Sequence, residues 1–141
     1  MSNNKITVPF VACDSEIPMI ELKIGDVVTH AIIDTGAGST LIGSDVLNTT
    51  EVCILDEDVT ANFTGIGEYK NKKILQLGVP TTIDGHEFDI AGYEFDFSKI
   101  IEHFERICDY HERISFILGS DFLTQHDTVI DYENKLVTMT V

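Results

Sequence analysis

The chain has 141 residues, 43% of them apolar, and a formal net charge of −15 from 24 acidic and 9 basic residues. That size suits one domain with an ordinary core, and the apolar share excludes a disordered chain. The charge argues against nucleic-acid binding, which needs a positive surface, and no apolar run is long enough to span a membrane.

In chain order, Met1-Ser2-Asn3-Asn4-Lys5 lacks the charged-then-apolar pattern of a secretory signal. Lys5 to Ala12 reads as a strand with Ile6, Val8 and Phe10 on one face, and Pro9 points to a sheet edge. Cys13-Asp14-Ser15-Glu16 is a polar connection. The cysteines, Cys13, Cys53 and Cys108, are scattered and odd in number. Reduced thiols and a cytoplasmic location are therefore expected. The glycosylation patterns at Asn48 and Asn62 are then read as chance.

Met19 to Ile24 alternates, with Ile20, Leu22 and Ile24 facing one way and Glu21 and Lys23 the other. Gly25-Asp26 turns the chain, and Val27 to Ile33 returns. That strand delivers the string Asp34-Thr35-Gly36-Ala37-Gly38-Ser39-Thr40, followed by a short apolar strand, Leu41-Ile42. Taken alone, Asp34 is a turn aspartate at the end of a buried strand. Ser39 and Thr40 carry hydroxyls able to bond a carboxylate or a neighbouring amide. Gly38 is expected to adopt a backbone angle that other residues resist, and Ser44 to cap a short helical turn around Asp45-Val46-Leu47.

Asp56-Glu57-Asp58 reads as a solvated acidic turn without calcium-loop spacing. Val59 to Ile66 and Lys73 to Val79 read as the strands of a long hairpin, with Gly65, Ile66 and Gly67 near its tip. An ordinary surface hairpin is the alternative. Thr81 to Ala91 is a strand pair hinged on Asp84-Gly85.

From Ser98 to about Arg113 the period becomes helical. Ile100, Ile101, Phe104, Ile107 and Cys108 share an apolar face opposite Lys99, Glu102, Glu105, Arg106 and Asp109. His103 and His111 lie roughly two turns apart, too far to share one ion, so no metal is expected. Ile114 to Leu118 returns to strand and ends at Gly119. Ser120 to Gln125 reads as a short helix with Ser120 as cap. Thr128 to Asp131 and Lys135 to Val141 close the chain as a hairpin.

The Asp34-Thr35-Gly36-Ala37-Gly38-Ser39-Thr40 string resembles the active-site signature of the aspartic proteases. One copy in a short chain resembles the retropepsin-like branch. That branch holds retroviral and retrotransposon proteases and the protease-like domain of the DNA-damage-inducible ubiquitin-shuttle proteins. Ile117-Leu118-Gly119, followed by Asp121-Phe122-Leu123 and Val129-Ile130-Asp131, is similar to the family's second motif. The match runs from about Met19 to Val141, with residues 98–113 outside it as an insertion. Ser120 stands where viral enzymes often carry arginine, and Glu68 where they usually carry glycine.

The resemblance implies a mainly β fold: a retropepsin-like acid protease barrel in a single domain spanning 1–141. It would carry a flap hairpin, a short C-terminal helix and the inserted amphipathic helix. It implies a homodimeric aspartic endopeptidase acting on peptide or polyprotein. Asp34 of each subunit would be catalytic, supported by Thr35, Gly36 and Ala37, with Gly65, Ile66 and Gly67 as flap and no cofactor. The Thr35 hydroxyl would bond across the junction, and Gly36 would let two loops meet closely. The alternative is a non-catalytic module of the same fold, used for dimerisation or peptide binding. Other signatures fail on residues. Leu41 stands where a dinucleotide fingerprint needs glycine. No Gly-Lys-Ser/Thr, Gly-x-Ser-x-Gly or His-Glu-x-x-His occurs.

Overall fold

The computed structural model describes residues 4–12, 17–48, 52–63 and 69–141. The expected flap tip, Gly65, Ile66 and Gly67, and Cys13 lie outside them.

Among the described residues, eleven strands carry the fold. β1 (Lys5–Pro9) and β2 (Val11–Ala12) come from the first apolar segment. β3 (Pro18–Ile24) and β4 (Val27–Ile33) form the hairpin that leads to Asp34, with Gly25 at φ 57° in its turn. β5 (Leu41–Gly43) follows the signature and runs into a 3-10 helix over Ser44–Asn48. β6 (Cys53–Phe63), β7 (Tyr69–Ile83) and β8 (His86–Phe95) form a meander. α1 (Ser98–Cys108) precedes β9 (Ile114–Leu118), then come α2 (Ser120–Gln125), β10 (Val129–Asp131) and β11 (Leu136–Thr140).

The strands sort into two sheets. An eight-stranded sheet has the order β2-β3-β4-β9-β5-β8-β7-β6. The Lys23–Thr82 pairing of β3 with β7 closes its middle six strands into a barrel. β9 is the hub: it runs parallel to β4 and antiparallel to β5, and all five of its residues are buried. A smaller sheet, β1-β11-β10, pairs both ends of the chain with each other. β1 lies at its edge, as Pro9 requires.

Strand alternation builds two apolar cores. Ile20, Leu22, Ala31, Ile33, Phe116 and Leu118 fill the inner one. Met19, Ile32, Leu41, Ile114 and Ile117 point to the other face, where Phe95, Phe97, Ile100 and Phe104 cover them. Helix α1 therefore buries Ile100 and Phe104 on its own chain. Phe104→Ala should cost about 3–5 kcal/mol through lost burial and the cavity left behind. Urea unfolding of the variant checks this, and a loss below about 1 kcal/mol would mean the helix is only loosely attached.

Several sequence expectations need correction. α1 ends at Cys108, not near Arg113. Asp109 turns left-handed at φ 49°, which lets the Tyr110 N–H donate to the Phe104 carbonyl at 3.1 Å and closes the helix without a glycine. Ile107, expected on the apolar face, is half exposed. Asp56-Glu57-Asp58 is no turn: it lies inside β6, where the pairing with β7 shifts register on both sides of Asp56. Three acids without glycine or proline do not reverse a chain, and bulges absorb the irregularity. β7 runs unbroken through Pro80, which falls beyond the last β6 pair, Cys53–Gly78. Asp84 and Gly85 do turn that hairpin, at φ 49° and 79°.

Neither serine caps its helix as expected. Ser44 donates its hydroxyl to the Phe95 carbonyl. Ser120 is the first residue of α2, and no side chain caps that helix. The reduced-thiol expectation fails at Cys108, which is disulfide-bonded, while Cys53 is free and exposed. A reducing cytosol does not ordinarily keep such a bond, so the cysteines no longer indicate the compartment. No helix among the described residues is long and apolar enough to cross a membrane.

Candidate active site

Asp34 stands at the first position after β4, half-buried at the mouth of the barrel. Its backbone N–H donates to the Leu118 carbonyl at 3.0 Å, tying the end of β4 to the end of β9. The chain then turns, with the Ala37 N–H donating to the Asp34 carbonyl at 3.1 Å. Within that turn the Gly36 N–H donates to Asp34 Oδ1 at 3.0 Å, which orients the carboxylate. A Cβ on Gly36 would lie 3.3 Å from that same oxygen, so glycine keeps the approach open.

The expected second motif lies against this loop. Ile117, Leu118 and Gly119 are all buried, and the Ser120 N–H donates to the Ala37 carbonyl at 2.7 Å. A Cβ on Gly119 would sit 2.7 Å from the Ala37 carbonyl oxygen and 2.8 Å from the Ser39 carbonyl carbon and oxygen. Gly92 on β8 presses from the other side: its Cβ would lie 2.6 Å from the Thr40 carbonyl oxygen. The two glycines let three backbones meet around one loop.

The fold brings Asp34, Gly36 and Ala37 together with Leu118 and Gly119, while the Thr35 side is exposed. Gly38 does not behave as expected. It has no left-handed φ, and a Cβ there would meet nothing within 4 Å.

Asp121, within the second motif, has a role that its local sequence does not announce. Its Oδ2 accepts the Thr40 N–H at 3.1 Å, and its Oδ1 accepts the Thr40 hydroxyl at 2.7 Å. The Thr40 Oγ accepts the Gly119 N–H at 3.1 Å. Thr40 is fully buried, so these bonds satisfy polar atoms that water does not reach. A threonine placed before an apolar strand was the available signal, but its partner is 81 residues away.

A closed barrel with an Asp-Thr-Gly loop braced by an apolar-apolar-Gly strand end defines the acid-protease class of fold. The family model for retroviral aspartyl protease matches residues 14–131, and the chain belongs to that family. Among solved structures it is similar to a retropepsin-like aspartic protease from Rickettsia conorii. That match has 18% identity over 99% of this chain and 92% of the other, with a TM-score of 0.52. It is also similar to the retroviral protease-like domain of Ddi1 from Leishmania major. There the identity is 16% over 95% of this chain and 89% of the other, with a TM-score of 0.53. A search of the curated proteins finds no match.

Proposed function

We propose that the chain is an aspartic endopeptidase that works as a homodimer, with one Asp34 from each subunit forming the catalytic pair. The observation that carries this is the Asp34 carboxylate, positioned at the barrel mouth by the Gly36 N–H. The chain has one Asp-Thr-Gly, and Asp127-Thr128-Val129 lacks the glycine. Asp121 cannot be the second acid, because both of its oxygens are engaged with Thr40. The second carboxylate must then come from another copy, across a two-fold axis that would bring Thr35 and Gly36 of both chains together.

Two carboxylates a few ångströms apart resist double ionisation and share one proton, and aspartic proteases are the standard case of this effect. The ionised member takes a proton from water as the water attacks the scissile carbonyl. The protonated member donates to the carbonyl oxygen. Residues 65–67, which follow β6 and precede β7 in sequence, would supply backbone hydrogen bonds to an extended peptide. Ser120 in place of arginine is the feature that favours a non-catalytic peptide-binding module instead.

The test is incubation of the protein with a diverse peptide mixture across pH, read by mass spectrometry, with and without a statine-type inhibitor. Inhibitor-sensitive cleavage with a bell-shaped pH profile on the acid side of neutral is expected. At low pH both carboxylates carry protons and the base is lost. At high pH both are ionised and the acid is lost. A rate that keeps rising into alkaline pH would contradict a shared proton, and no cleavage at any pH would favour the binding module.

A further inference from the structure

We propose that Asp121 is a positioning residue for the Asp34 carboxylate, acting through Thr40; this rests on the protease reading above. An aspartate on the exposed first turn of a short helix is ordinarily a solvated surface charge. Asp121 instead turns both oxygens onto the loop that begins at Asp34. Oδ2 takes the Thr40 N–H, while Oδ1 takes the Thr40 hydroxyl and the Phe122 N–H at 2.8 Å.

Every polar atom of Thr40 is thereby held by other parts of the fold. Its N–H and hydroxyl are fixed by α2. Its Oγ accepts from Gly119 at the end of β9, and its carbonyl accepts the Tyr93 N–H of β8 at 3.0 Å. The loop from Asp34 to Thr40 is thus pinned along the 118–121 segment at its start, middle and end. The bonds at the start, from Asp34 to Leu118, and the middle, from Ser120 to Ala37, are between backbones. The bond at the end depends on a side chain. Losing it removes the two ties from α2 and leaves Thr40 held only by Gly119 and Tyr93, so the loop end loosens and the Asp34 carboxylate is held less firmly at one distance from its counterpart. The core is not involved, because Asp121 is exposed and belongs to neither apolar cluster.

Carboxylate chemistry matters as well as shape. Three donors converge on two oxygens, and only a carboxylate offers acceptors on both. Asparagine keeps one acceptor and sets an NH2 group against a donor. Asp121→Asn should therefore lie between the wild type and Asp121→Ala.

The experiment is steady-state kinetics on a peptide substrate found with the wild type, at a protein concentration where the rate is proportional to protein. Melting curves measured alongside fix the folded fraction. For Asp121→Ala, kcat should fall by about 10- to 100-fold with KM within about twofold, since misplacing a reacting group by an ångström has effects of that size. Asp121→Asn should lose less. A kcat for Asp121→Ala within about twofold of wild type overturns the proposal. So does a loss confined to KM, or one that follows the folded fraction alone. A wild type that cleaves no peptide would sink the protease reading and this proposal with it, so the two failures are told apart by the wild-type rate.

Discussion

Asp34→Asn is expected to abolish cleavage while leaving the fold intact, and to poison the wild type when the two are mixed. Asparagine keeps the size and can still accept the Gly36 N–H through its amide oxygen. It cannot take a proton from water. If each site needs one Asp34 from each subunit, every mixed dimer is dead. Random pairing of equal amounts leaves roughly a quarter of dimers fully wild type, so activity per wild-type chain should fall by about half. More mutant should suppress it further, and dilution should lower specific activity as dimers separate. The measurement is cleavage rate at fixed wild-type concentration against added mutant, after time for exchange. A flat line, with mixed dimers confirmed by native mass spectrometry, would rule out a shared site. Cleavage by Asp34→Asn alone, with contaminating proteases excluded, would rule out the aspartic mechanism.

Gly119→Ala should be among the most damaging single-methyl additions around the site. The backbone at Gly119 is ordinary extended chain, at φ −90° and ψ −177°, so the cost is steric and not conformational. The added carbon would meet carbonyl atoms of Ala37 and Ser39 at 2.7 and 2.8 Å, closer than real contacts allow. None of these is a flexible side chain. Relief requires moving the signature loop away from β9, which strains the Ser120–Ala37 bond and the Gly119–Thr40 bond. We expect a loss of about 3 kcal/mol in urea unfolding, at the upper end for overpacking, together with loss of cleavage. Gly38→Ala is the control. It sits in the same loop but meets nothing within 4 Å, so its stability should stay within about 0.5 kcal/mol of wild type. Equal stability of the two variants would mean that the loop is not packed against Gly119 as described.

Much of the fold was legible because local chemistry and tertiary structure agree. The alternation of Ile20, Leu22 and Ile24 placed β3, and these residues are buried as the pattern demands. Asp84-Gly85 turned the β7–β8 hairpin because those residue types tolerate the left-handed angles it needs. The helical period from Ser98 placed the start of α1. Its end was not legible, because Asp109 stops the helix through one backbone angle that no glycine or proline announced. The acidic triplet in β6 misled for the converse reason: polar composition suggests a turn, whereas the long ladder to β7 keeps it in a strand.

By itself the sequence determined the local pieces: which segments alternate, where tight turns fall, and that one carboxylate follows a buried strand into a small-residue loop. These follow from side-chain period and backbone permission, which act over a few residues. Only the tertiary structure decided what that loop rests on. Gly119, Gly92 and Asp121 reach Thr40 and its neighbours from residues distant in sequence, and they converge because β9 lies between β4 and β5. No local pattern encodes a contact between a carboxylate and a hydroxyl 81 residues apart. It exists because burial of the strands on both faces of the barrel wall fixes where those two residues end up.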